Sequence, residues 1–412
     1  MIVFDRFQLS NGLRVIVHQD SSTPMVAFNL LYDVGARDED PEKTGFAHLF
    51  EHLMFGGSVN VPSYDEPLQK AGGENNAYTT NDITNYYIQL PKANMETAFW
   101  LESDRMLSLA FSESSLEVQR KVVSEEFKEH YINKPYGDAW KHLRSLAYQR
   151  HPYQWLTIGK TLSHIEEAKM EEVKAFFQKH YNPANAILCV AGPVQKDVVK
   201  TMAEKWFGNI PSGKKYERQL PKEPEQTEAR FLEVVADVPL NALYKAWPIP
   251  PRLSPKYYAC DLITEILGSG YSSRLHQRLV KEQELFVGIG CYHTGSLDAG
   301  LLVVEGKVRD GVPLEKANAA VEEEIERFIT TSIEDTELNK VKNKIESMIA
   351  FEDMSLLNRA NNLAFFELLG DAEMMNHEWN HYNDISAETL QESAAQFLQK
   401  QRCNTLFYRK KK

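Results

Sequence analysis

His48, Glu51 and His52 are the residues whose types and spacing could do chemistry most directly. They stand in the run Gly45-Phe-Ala-His48-Leu-Phe-Glu51-His52-Leu-Met-Phe-Gly-Gly57. If that run is helical, residues four apart share a face, so the two imidazoles lie side by side. Two neutral imidazoles so placed can offer two nitrogens to one zinc ion. Glu51, three residues after His48, stays close to such an ion without having to ligate it. A carboxylate there can take a proton from an activated water. Two histidines on a helix are, as a rule, surface or core residues, so the pair needs a third donor to become a metal site.

The elements around the motif follow from hydrophobic pattern and punctuation. Residues 7–20 read as strand, turn and strand about Asn11-Gly12, and residues 25–34 as a third strand closed by Gly35. An acidic loop follows at 37–43. Thr44 is the expected N-cap of the motif helix, and Gly56-Gly57 its end. A short helix at 64–71 and a hairpin at 75–90 come next, then helices at 95–110 and from Ser114 to about Tyr131. The second of these has the form of a capping box, Ser114-x-x-Glu117. Helix 173–180, strand 186–191 and helix 198–207 complete the first half.

Residues 211–226, with three prolines, a glycine and many charges, read as a linker. Beyond it the order restarts: strands at 231–238 and 242–247, a helix at 257–267, a strand at 300–308, helices at 314–330 and 336–350, and a last strand at 404–408. Two copies of one α+β unit are therefore expected, a zinc-bearing repeat at 1–212 and an inactive repeat at 227–412, joined through 213–226.

Composition sets limits on function. The 412 residues are 43% hydrophobic and 25% charged, as in an ordinary globular protein of more than one domain. A net charge of -12 argues against nucleic acid or an anionic membrane as partner. Cys189, Cys260, Cys291 and Cys403 have no C-x-x-C spacing and read as buried, reduced thiols. The N-terminus has no signal-peptide pattern, and no apolar run could span a bilayer, so a cytoplasmic setting is expected. The last residues, 409–412, read as a solvated basic tail.

The third ligand should come from the acidic helix Val122-Val-Ser-Glu-Glu-Phe-Lys-Glu129. Glu126, four residues after Val122, is best placed to share an inward stripe with Val122 and Val123. Glu125 and Glu129 are rivals.

The inverted motif H-x-x-E-H, followed some seventy-five positions later by Val-Val-Ser-Glu-Glu126-Phe, resembles the pitrilysin/insulinase family of zinc metallopeptidases. The opening Leu9-Ser-Asn-Gly-Leu-Arg-Val, the segment Asn76-Ala-Tyr-Thr-x-x-Asp82-x-Thr-x-Tyr86 and Gly268-x-Gly-Tyr-Ser-Ser-Arg-Leu275 extend the likeness over nearly the whole chain. The resemblance implies two ferredoxin-like repeats, antiparallel sheets with helices on one face, forming half of a clamshell. It implies Zn2+ held by His48, His52 and Glu126, with Glu51 as general base. It also places a peptide substrate along the edge strand Asn76, Ala77, Tyr78 and Thr79, where main-chain pairing is indifferent to sequence. The Ala77 N–H is then a candidate oxyanion donor.

The chain departs from that family at one important place. Active members need an arginine and a tyrosine, seven residues apart, following the Ser-Ser-Arg-Leu segment. Here those positions hold Val280 and Val287; a one-residue slip would place Arg278 differently, but no tyrosine stands at the right distance. The expectation is a zinc endopeptidase that works with a related subunit supplying the pair, in a heterodimer; a homodimer is the alternative. A smaller departure is Gln119, seven residues before Glu126, where many relatives carry glutamate. The competing reading is a structural subunit of the same fold, inactive without a related partner chain.

Overall fold

The computed structural model describes residues 1–411 as two compact units. The first comprises residues 1–127, 155–220 and 350–377, the second residues 128–154, 221–349 and 378–411. The division does not follow the sequential halves. Residues 128–154 leave the first half to pack in the second unit, and residues 350–377 do the reverse.

The first unit is built on strands β1 (Asp5–Gln8), β2 (Arg14–Gln19), β3 (Met25–Tyr32), β4 (Glu74–Thr79), β5 (Thr84–Pro91) and β6 (Ala186–Gly192). They run in the order β1-β2-β6-β3-β5-β4, antiparallel except for the pair β2 and β6. β3 and β6 are near-continuous apolar runs because both of their faces are covered. On one face, Ile16, Ala27, Leu31, Ile187 and Cys189 pack against the helix Leu356–Leu369. On the other, Phe28 meets Phe99 of the helix Met95–Leu107 edge-on at 5.0 Å. Phe99 in turn meets Phe207, the last residue of the helix Lys196–Phe207. β4 lies at the rim and, among the described residues, pairs only with β5, which leaves one side of its backbone free.

The second unit repeats this plan. Strands β7 (Arg230–Ala236), β8 (Ala242–Pro248), β9 (Phe286–His293), β10 (Leu301–Val308) and β11 (Asn404–Lys410) take the order β7-β11-β8-β10-β9. In chain order, that is the arrangement of β2 to β6, including the single parallel pair. Helices Tyr257–Gly268, Leu314–Thr330 and Ala387–Phe397 share one core, and the helix Ala139–Ala147 covers the opposite face of the sheet. The four cysteines are buried and unpaired. Among the described residues, no helix is long and apolar enough to cross a membrane.

Several local expectations shift. Residues 211–226 carry no regular structure, yet their first part is pinned within the first unit. Arg218 pairs with Asp38 and Asp33, each at 2.7 Å, and Tyr216 meets the His180 ring at 4.6 Å. The helix expected from Ser114 starts at Glu113 and is capped by Ser112, whose Oγ accepts from the Ser115 N–H at 3.0 Å. Glu117 instead pairs outward with Arg120 and Lys121. β9 was not expected at all. Of the basic tail, Arg409 and Lys410 end β11, and Lys412 lies outside the described residues.

Candidate metal centre

The motif forms the helix Phe46–Leu53. Its first residue follows Gly45, which sits at φ +90°, and a Cβ there would come within 2.6 Å of the Ile158 carbonyl oxygen. Thr44 is therefore not the cap. Its hydroxyl is turned to the Lys160 N–H at 2.8 Å and to His164. The capping acceptor comes from the acidic loop: Glu39 accepts from Gly45 N–H at 2.9 Å and Ala47 N–H at 2.8 Å. It also accepts from the indole N–H of Trp155 at 3.2 Å. Burial raises this carboxyl to about 8, against the pull of those donors.

Helical spacing puts His48 and His52 edge to face, with ring centroids 4.8 Å apart. Glu126, on the helix Glu113–Phe127, brings Oε2 to 3.8 Å from His48 Nε2 and 3.5 Å from His52 Nε2. One ligand atom from each of the three lies within 4.8 Å of the others. Donors around a tetrahedral zinc, each at about 2.1 Å, stand roughly 3.4 Å apart, so two nitrogens and one carboxylate oxygen at these spacings fit that ion. Glu125 and Glu129 are exposed and take no part in the cluster. The stripe expected to aim Glu126 is only partly inward. Val123 and Phe127 are buried, while Val122 is 45% exposed. Glu126 thus belongs to a half-open face, where a catalytic metal would have to be reached by substrate.

Burial lowers the pKa of His48 to about 4; Glu126 opposes this and His52 reinforces it. At neutral pH the ring is uncharged, the form that ligates metal. Its Nδ1 is buried with no hydrogen-bond partner among the described residues, a departure from the usual supported metal-ligating histidine. Glu51 is half-buried, and its Oε2 accepts a hydrogen bond from the Thr79 hydroxyl. Burial raises its pKa, while the Thr79 bond and His52 lower it. The net shift is upward, and Glu126 adds to it.

The residues expected along the substrate edge lie in β4. Asn76 is exposed, and Tyr78 is 38% exposed. The Ala77 N–H donates to the Asn76 side-chain oxygen at 2.8 Å, so that donor is already engaged. Thr79 turns its hydroxyl to Glu51. A further group unread in the sequence packs nearby in the same unit. Arg105 is buried between the rings of Tyr64 and Tyr86, 4.5 and 4.3 Å from their centroids, and forks onto Glu102.

The sequence model described as "Insulinase (Peptidase family M16)" matches residues 14–160, and "Peptidase M16 inactive domain" matches residues 168–345. The chain belongs to peptidase family M16. It is 28% identical over 97% of its length to "Zinc protease PqqE" of Helicobacter pylori, covering 91% of that protein. A solved structure, "The crystal structure of a protease from Helicobacter pylori", superposes with a TM-score of 0.93 at 26% identity over 99% of this chain and 100% of that one. A probable mitochondrial-processing peptidase subunit beta of Arabidopsis thaliana is 25% identical over 83% of this chain and 66% of its own. The zinc site of the M16 resemblance falls in the first matched segment, and Val280 and Val287 fall in the second.

Proposed function

We propose that this M16 chain is a zinc-dependent endopeptidase acting on peptides or unfolded segments. The observation that carries the reading is the convergence of His48, His52 and Glu126, with Glu51 on the same short helix. A zinc ion held by those three side chains would supply Lewis acidity towards a water and the scissile carbonyl. Glu51 takes the proton from the attacking water and delivers it to the leaving amine. The free side of β4 aligns an extended peptide by main-chain pairing, and selection then rests on enclosure and a few side-chain pockets. For Ala77 N–H to serve the oxyanion, the Asn76 side chain must first release it.

The chain brings no arginine–tyrosine pair to the second half of such an enclosure. Val280 is packed against the core of the second unit, and Val287 is 58% exposed on β9. Full activity accordingly requires a related subunit that supplies the pair. The test is Glu51→Gln, which should retain zinc and abolish peptide hydrolysis. Wild-type turnover in that variant would remove the base assignment. Co-purification shows whether a second chain of similar size accompanies this one.

A further inference from the structure

Thr79 ends the rim strand β4, opposite Thr84 of β5. The next pair inward to the turn, Thr80 and Ile83, is joined by a main-chain bond of 2.8 Å. In an antiparallel ladder, hydrogen-bonded pairs alternate with pairs whose N–H and C=O groups point away from the partner. Asn75, Ala77 and Thr79 therefore present their main-chain groups to the free side of β4. The Ala77 N–H bears this out, since it is taken by a side chain and not by β5. Thr79 thus faces two ways: its backbone looks to the free edge, and its hydroxyl donates to Glu51 Oε2. The neighbouring Thr84 hydroxyl is tied to the Val34 carbonyl at 3.0 Å, which steadies the end of the hairpin.

We propose that Thr79 is a positioning residue that fixes the carboxylate of Glu51 and ties its placement to the strand on which the peptide lies. The inference rests on the peptidase reading of the same site. A carboxylate on a helix can swing between rotamers, and a single directed donor from an adjacent rigid strand selects one. A peptide pairing with β4 is thereby placed against the same residue that holds the base, so substrate register and base orientation share one anchor.

Thr79→Val keeps the shape and deletes the hydroxyl, while Thr79→Ser keeps the hydroxyl. The assay uses the protein as purified, with any subunit that accompanies it. The valine variant should lower kcat about 10- to 100-fold with KM within about twofold, and serine should restore kcat to within about threefold. Zinc content should be unchanged in both. In metal-free protein, the side-chain carboxyl carbon-13 resonance of Glu51, assigned from its loss in Glu51→Gln, should move in the valine variant and stay put in the serine variant. A valine variant with kcat within twofold of wild type, or an unmoved Glu51 resonance, overturns the proposal. Full activity in Glu51→Gln would instead overturn the underlying reading, so the two failures are distinct.

Discussion

Removing the carboxylate of Glu39 should unfasten the helix that carries His48 and His52 from the rest of its unit. The helix Phe46–Leu53 begins at a glycine and has no side-chain cap of its own. Glu39, buried in that role, accepts from Gly45 N–H, Ala47 N–H and the Trp155 indole at 2.9, 2.8 and 3.2 Å. Glu39→Ala leaves three enclosed donors without that acceptor, although Trp155 Nε1 keeps the Ala36 carbonyl at 2.9 Å. At about 1–3 kcal/mol for each of the two donors left with no acceptor, the loss should be about 2–6 kcal/mol, a large part of the stability of a typical domain. Urea unfolding of the metal-free protein measures it. Zinc affinity should fall as well, because His48 lies one residue beyond the second anchored N–H.

The same carboxyl gives a signed pH effect. Its pKa rises from an ordinary 4.5 to about 8 on folding, so between those values the folded chain binds a proton that the unfolded chain does not. The associated stability is full below pH 4.5 and declines as pH rises to 8, by up to about 1.4 kcal/mol per pH unit. Glu39→Gln mimics the protonated form and should remove that decline. A Glu39→Ala loss below about 1 kcal/mol, or an unchanged pH slope in Glu39→Gln, would refute the reasoning.

Two further expectations follow from charges buried in the first unit. Glu102→Ala should cost about 3–5 kcal/mol, because it strands the Arg105 guanidinium between Tyr64 and Tyr86 without its carboxylate; denaturant titration measures the loss. His48 has a pKa depressed from 6.5 to about 4, so its contribution is intact above pH 6.5 and is lost as pH falls through 4. Metal-free protein should therefore lose about 3 kcal/mol across that window, and His48→Asn should flatten the loss, as read by unfolding at stepped pH.

The chemistry of the site was legible where it was local. The i, i+3 and i, i+4 spacing of His48, Glu51 and His52 is written within one turn of helix, and the structure places the two histidine rings together. Glu126 came from a helix some seventy-five residues away; the inward stripe ranked it ahead of Glu125 and Glu129, and the resemblance then singled it out. The stripe argument was less sound, because Val122 is exposed. Glu39 was invisible because its partners are six and eight residues on, and Thr44 offered a plausible but mistaken cap. β9 escaped because Gly288 and Gly290 break the alternation that marks a strand. The helices Ala139–Ala147 and Leu356–Leu369 were passed over, although each covers a sheet built mainly from the other half of the sequence.

The central claim is that His48, His52 and Glu126 form one zinc site, and zinc titration of the metal-free protein tests it most directly. Wild type and Glu51→Gln should each bind one ion per chain, and Glu126→Ala should bind at least about 100-fold more weakly while keeping its fold. A wild-type chain that binds no zinc, or a Glu126→Ala chain that binds it as tightly as wild type, would contradict the account.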